Sequence, residues 1–514
     1  MGEETLEIPD VRLRLSTILN YISTLYRFIA SVAFTLIVIR RLDIDEYGIF
    51  VLGFSILLAI STIYNLWIPW GVRRYILKIE ESLTATLILN IAYGLVSIAI
   101  FLGATIYYAS ILGDKAFQLL IFLILVVSSP ITLLSQGALA LITPHIFSIV
   151  RILFETLRVG IAYILVVYLD QGLAGAILAL GIASITSFTA GLIYLLLKGY
   201  IRFRSKKLSK ELTYQAKAST TNIFVSTATS IENLDRILIT SITSSPIVSA
   251  FMGIAYIPRS IIAQGFGAIT LSLYSKMLRE PNKIYYIESI RLYLLLTGFF
   301  LSILLALSKP IVTFFNPIYI DAWIPLTIIS LEIFILGFAR IFNASASGIS
   351  REDLTSRSVR EILKTPLGRV SLYEFIRASI GIVLGTSIYL TVEKLLNIDL
   401  QPWIIATIYA ISWIVSSIIH LALSLKMSRK YIKIEVPPRE FITFIIVTTI
   451  VILSTNILGG SNIVIESFWR DSPKLALYIL FNIVIYATIF AAGSRWFRDL
   501  IKRSIEFIVS KKEG

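Results

Sequence analysis

The sequence predicts an all-α polytopic membrane protein of about fourteen transmembrane helices. Three observations carry this expectation. Hydrophobic residues make up 56% of the 514 residues, with a mean hydropathy of +0.83. Charged residues are only 15%, against roughly 25% in soluble domains. Apolar residues recur in blocks of about 20, the length that crosses roughly 30 Å of hydrocarbon. Backbone groups cannot stay unpaired in lipid, so such blocks must be helices or a closed barrel. Continuous Leu/Ile/Val/Phe runs lack the alternation of a barrel strand, which leaves helices.

In chain order the blocks fall at roughly 17–39, 49–70, 84–109, 117–142, 149–169, 173–197, 219–243, 247–272, 290–308, 322–344, 372–392, 402–425, 441–458 and 474–493. The first is too long for a signal-peptide core and lacks a small-residue cleavage pattern, so it reads as a retained span. With the N-terminus in the cytoplasm, 33 of the 46 Lys and Arg fall on the inner side and 7 on the outer. That is the asymmetry of the positive-inside rule. It puts both termini in the cytoplasm of a plasma-membrane protein. The net charge of +14 becomes an inner-face feature that anionic lipid headgroups explain without nucleic acid.

This sorting also decides segment 219–243, the least apolar of the fourteen. If it did not cross, the basic stretches at 198–217 and 276–291 would lie on opposite sides. It therefore reads as a span, which leaves its charges near mid-membrane. The basic stretch GYIRFRSKKLSKELTYQAK divides the chain. Residues 1–198 form an N-terminal lobe of six spans, 199–218 a cytoplasmic linker, and 219–425 a C-terminal lobe of six spans. Residues 426–514 add two spans and a basic tail. Weak internal similarity supports two lobes: GIFVLGFSILL (48–58) and SAFMGIAYIPR (249–259) each follow a short outer loop. Segment 351–371 has the helical spacing of an amphipathic surface helix before Pro366.

The absence of cysteine excludes disulfides, thiolate catalysis and Cys-ligated metals. His145 and His420, far apart in sequence, read as loop or helix-end residues. The informative groups are charges within the spans, each costing at least about 2.5–3.5 kcal/mol to insert. Span one carries a stripe of Asn20, Ser23, Thr24, Arg27, Ser31 and Thr35 at three- and four-residue steps. Span seven carries a second, Asn222, Ser226, Thr229, Asn233, Arg236 and Thr240. Glu232 and Arg236 are i,i+4 neighbours able to pair, which leaves Asp235 to pair across to another helix. Glu155 and Arg158 read as a pair that joins helices. Tyr256 and Arg259 share a face of span eight. Arg27 and Arg259 have no acid within a turn. Either a bound phosphate answers them through bidentate hydrogen bonds, or a cross-helix partner does, with Asp235 and Glu332 the candidates.

RRLDIDEYGIFVLGFSI (40–56) resembles the first outer loop and second span of the lipid-linked oligosaccharide flippases, the O-antigen-transporter-like members of the multidrug/oligosaccharidyl-lipid/polysaccharide exporter superfamily. Leu42, Tyr47 and Gly48 match that family's pattern, and Asp43 replaces its usual glycine. GVRRYILK (71–78) resembles the end of its second span. LDRILIT followed by IVSAFMGIAYIPRSI resembles its seventh and eighth. The resemblance implies two six-helix lobes around a central cavity, with two extra helices for the lipid tail. It implies alternating access and flipping of a polyprenyl-(pyro)phosphate-linked oligosaccharide to the outer leaflet. That process needs no cofactor and no catalytic residue. Arg27, Arg259, Arg236, Asn20, Asn233 and Tyr256 are then the expected substrate contacts. Glu232, Asp235 and Glu332 are candidates for a coupling proton or sodium ion. Two rivals stand beside this. One is a cation-coupled multidrug antiporter of the same superfamily. The other is a membrane glycan polymerase or ligase, acting through Asp43, Asp45 and Glu46 in the first outer loop.

Overall fold

The computed structural model describes residues 13–75, 82–198, 209, 212, 223–350, 361 and 364–510. These residues are helical with short connections and contain no strand. Among them, ten stretches are long and apolar enough to cross a membrane. Other expected spans fall short of that measure for local reasons. Pro144–Ala162 carries Arg151, Glu155 and Arg158. The segment 223–243 is split at Asn233 into two ten-residue helices. One apolar stretch, Leu87–Ala140, runs for 54 residues, enough for two crossings at about 20 residues each.

The chain divides into two compact units, Met1–Ala250 and Phe251–Gly514. Most of the basic linker and the start of the expected surface helix at 351–371 lie outside the described residues. Pro366 opens a helix at its first position, where its missing N–H costs nothing, and Thr365 Oγ1 accepts from the Gly368 N–H.

The first unit contains α1 (Leu13–Arg41), α2 (Ile44–Tyr75), α3 (Ser82–Leu112), α4 (Leu123–Ile142), α5 (Pro144–Ala162), α6 (Gly172–Leu197), α7 (Ile223–Glu232) and α8 (Leu234–Thr243). α5 packs on α1 and α6, and α2 packs on α7 and α8. Leu134, Leu139, Val150, Phe188 and Leu195 form an apolar core among α4, α5 and α6. The Tyr47-Gly48 step of the resemblance has a packing reason. Tyr47 is buried, and a Cβ on Gly48 would overlap the Pro246 carbonyl in the turn after α8. The break between α7 and α8 also has a cause. Asn233 Nδ2 donates to the Thr229 carbonyl at 2.8 Å, a local bond that competes with the helix ladder.

α9 (Ile247–Arg279) begins at the end of the first unit and continues into the second. The second unit adds α10 (Lys283–Ala306), α11 (Ser308–Phe315), α12 (Trp323–Ile349), α13 (Pro366–Leu390), α14 (Pro402–Ser428), α15 (Pro438–Ile457), α16 (Phe468–Gly493) and α17 (Arg495–Ser510). α12, α13 and α14 pack together, as do α10, α15 and α16. Polar pairs stitch the latter group. Tyr486 donates to the Leu294 carbonyl at 2.8 Å, and Thr455 to Asn482 Oδ1 at 3.0 Å. Outward faces carry large apolar side chains such as Leu197 (82% exposed) and Ile106 (73%), as lipid contact requires.

Candidate functional site

In the first unit, α1 and α5 place a charged pocket among apolar helices. α5 carries Arg151, Glu155 and Arg158 at steps of four and three, one helix face. α1 brings Arg27 and Ser31 opposite. Gln136, Phe147, Phe154 and Phe188 complete a pocket of about 310 Å³. Arg158 pairs with Glu155 and donates to Ser31 Oγ at 3.0 Å. Its guanidinium lies 4.9 Å from the centre of the Phe34 ring. Arg151 donates to Thr24 Oγ1 at 3.4 Å. Tyr26 and Thr156 share a 2.8 Å hydrogen bond. Arg27 is exposed, and among the described residues it makes no ion pair or hydrogen bond.

Three guanidiniums thus face one carboxylate. Two positive charges are left over beside the rings of Phe147, Phe154 and Phe188. Guanidinium groups bind phosphate oxygens in pairs. The arrangement is suited to a multiply charged anion and opposed to a cation. Arg151 and Gln136 are additions to the sequence expectation, which counts Arg151 among the inner-side charges. The spacing Arg151, Glu155, Arg158 is the signal that reveals Arg151, whereas Gln136 comes from α4 and joins the pocket only through packing. Asn20 is exposed one turn before Thr24. Its carbonyl accepts from Ser23 and Thr24, and it does not line the pocket.

The second polar stripe is built differently. Asp235 is fully buried, and its carboxylate pairs with Arg236 at 3.1 Å. The same Arg236 donates to Asn233 Oδ1 at 2.9 Å. Asp235 thus pairs with Arg236, the arginine that i,i+4 spacing assigns to Glu232. The helix break after Glu232 turns Asp235 onto its neighbour. Ser249 donates to the Arg236 carbonyl at 3.1 Å, and Tyr108 donates to the Ile237 carbonyl at 2.6 Å. Packing joins Arg236, Asn233 and Asp235, but these residues do not line the Arg27 pocket.

In the second unit the charges alternate in a chain. Arg259 lies 3.8 Å from Glu332, and Arg377 lies 3.6 Å from the same carboxylate. Arg377 also pairs with Glu374 at 3.1 Å, and Arg340 reaches Glu374 at 3.4 Å. Ser417 Oγ donates to Glu332 at 2.6 Å. Arg259 lies 5.8 Å from the Tyr256 ring, and both Arg259 and Arg377 lie 5.5 Å from the Trp413 ring. Arg259 thus has an acid partner after all, 73 residues along the chain. Glu332 is a counter-charge to two arginines. His420 is buried mid-helix and within hydrogen-bond distance of Asn343 (3.2 Å). It is not the loop or helix-end residue that sequence suggests. Among the described residues no group of His, Asp and Glu gathers as a metal site.

No protein-family model matches this sequence, and no curated protein matches it. Solved structures do. One is an inward-facing multidrug resistance MATE family transporter of the MOP superfamily. Its TM-score is 0.60 at 15% identity, over 79% of this chain and 95% of that one. Another is the lipid II flippase MurJ in an inward closed conformation, with a TM-score of 0.65 at 16% identity, over 94% of this chain and all of that one. A third is a MATE protein in complex with MaL6, with a TM-score of 0.54 at 13% identity. The chain shares the fold of these membrane proteins.

Proposed function

We propose that the chain is a transporter that flips a polyprenyl-(pyro)phosphate-linked oligosaccharide from the inner to the outer leaflet. The observation that carries this reading is the pocket between α1 and α5, where three arginines face one glutamate and Arg27 makes no ion pair among the described residues. An uncompensated guanidinium among membrane helices is costly. A phosphate-bearing headgroup answers that cost, and the glycan beyond it needs only polar walls. A fold shared with a lipid II flippase over 94% of the chain supports the same reading. In it, fourteen spans form two six-helix lobes around a central cavity, with two further spans beside the lipid tail and both termini in the cytoplasm. Alternating access moves the headgroup, and the inner face rests on anionic lipids. Arg27 is the proposed substrate contact in this pocket, and Arg259, Arg236, Asn20, Asn233 and Tyr256, which do not line it, are proposed as contacts elsewhere on the substrate's path. Glu232, Asp235 and Glu332 are the candidate carboxylates for a coupling proton or sodium ion.

A cation-coupled multidrug antiporter is the second reading, favoured by the fold shared with MATE transporters. The charge of the α1/α5 pocket opposes it, because organic cations are repelled there. Reconstitution in liposomes separates the two. Movement of a fluorescent polyprenyl-linked oligosaccharide is expected in the wild type and lost at least about tenfold in folded Arg27→Ala, a loss of about 1.4 kcal/mol or more. Proton-driven efflux of organic cations without glycolipid movement would establish the antiporter instead.

A further inference from the structure

The C-terminal helix is held by its first turn. α16 stops at Gly493, where a Cβ would overlap Thr443, and Ser494 adopts extended backbone before α17 starts at Arg495. Helix ends leave carbonyls without partners, and here arginines take them. Arg439 donates to the Gly493 carbonyl at 2.6 Å, and Arg498 of α17 reaches back to the Ala491 and Ala492 carbonyls at 2.9 Å each. Phe497 packs on Phe490, ring centres 5.7 Å apart, and Trp496 lies 6.0 Å from the Arg291 guanidinium of α10. Arg291 pairs with Glu440 of α15 at 3.4 Å. The first turn of α17 is thereby fixed to a corner where α10, α15 and α16 meet. Beyond that turn the helix is two-sided. At 3.6 residues per turn, Trp496, Phe497, Leu500 and Ile501 share one side, and Ile501 is 39% exposed. Arg495, Arg498 and Lys502 lie with Asp499 and Glu506 on the other, and Arg503 sits at the border, all six exposed. A strongly amphipathic basic helix fits the boundary between lipid headgroups and acyl chains.

We propose that α17 lies in the membrane plane and docks on the acidic headgroup layer of the inner leaflet, its basic face meeting lipid phosphates and Ile501 entering the acyl boundary. A general attraction of positive charge to that leaflet needs no helix, and a basic tail in water has no use for an apolar side. The segregated surface uses both. Four basic side chains against two acidic ones favour acidic over zwitterionic lipid, and Arg503 at the border can keep its head among the phosphates while its stem stays on the apolar side. Because the first turn is tied to Arg291, Arg439 and the end of α16, acidic lipid gains a direct hold on the corner of α10, α15 and α16. This inference does not depend on what is transported.

The chain has no cysteine, so Ile501→Cys and Asp499→Cys each carry a single environment-sensitive fluorophore. The full chain is placed in nanodiscs of phosphatidylcholine, alone or mixed with phosphatidylglycerol. Acrylamide quenching of the label at position 501 is expected to fall several-fold when phosphatidylglycerol is added, and to recover in high salt, which screens surface charge. The label at position 499 should stay open to quencher throughout. Combining Lys502→Gln with Arg503→Gln should raise the phosphatidylglycerol needed for the same protection by about fivefold per charge removed. The unfolding temperature should rise with phosphatidylglycerol in the wild type and rise less in that double variant. Salt-insensitive protection of position 501 in pure phosphatidylcholine would mean that the protein itself covers this side. Equal quenching of both labels in every lipid would mean a solvated tail, and protection that grows with protein copies per disc would mean a second chain. Each of these overturns the proposal. The lipid is the variable and both labelled positions are exposed, so the comparison stands even where the double variant does not fold. Glycolipid movement is not the readout, so failure here leaves the proposed function standing.

Discussion

Arg27 and Arg158 lie on one pocket, yet they are different kinds of arginine. Arg158 has a carboxylate, a hydroxyl and an aromatic face around it. Arg27 has none of these among the described residues. Arg158→Ala leaves Glu155 buried without its close partner, so it is expected to destabilise by about 3–5 kcal/mol, read as a fall in the unfolding temperature of the purified protein. Arg27→Ala should leave that temperature nearly unchanged and act on anion binding alone. Equal destabilisation by the two would mean that Arg27 is structural. The spacing of Arg151, Glu155 and Arg158 is visible in the sequence. That Ser31 and Thr24 come from α1 to meet them is not, because each of those hydrogen bonds joins residues 127 positions apart.

Elements are joined here by close backbone approach and by local polar bonds. α2 meets the turn after α8 at Gly48, where there is no room for a side chain beside Pro246. Gly48→Ala must push that turn away. Overpacking of this kind costs typically about 1–3 kcal/mol, so a fall of a few degrees in unfolding temperature is expected, with no loss of helical circular dichroism. The split of 223–243 into α7 and α8 follows from Asn233 bonding back to Thr229. An i,i+4 rule assumes an unbroken helix and considers only Glu232 for Arg236; the structure also brings the adjacent Asp235 carboxylate to it.

At the scale of the whole molecule, the chain's freedom from cysteine makes its topology measurable. Single cysteines introduced by Ser205→Cys and Ser245→Cys should label from opposite sides of sealed vesicles with an impermeant maleimide. Labelling from one side only would mean that an odd number of the expected crossings between them is wrong. The positive-inside asymmetry further expects Ser205→Cys to label from the cytoplasmic side. Each compact unit holds its own group of intramembrane charges, with arginines in excess. Among them are Arg27, Arg158, Arg236, Glu155 and Asp235 in the first unit, and Arg259, Arg340, Arg377, Glu332 and Glu374 in the second.

The sequence by itself determined that this is an all-helical membrane protein carrying charges within its apolar helices. Transfer to lipid is paid residue by residue, so local composition and block length record it directly. Only the tertiary structure decided which acid answers which arginine. Arg259 finds Glu332 on another helix, Asp235 folds onto its neighbour Arg236, and Arg27 makes no ion pair among the described residues. Ion pairing depends on separations of a few ångströms between helices distant in sequence. Those separations are set by packing and by helix breaks, not by the composition of any one span.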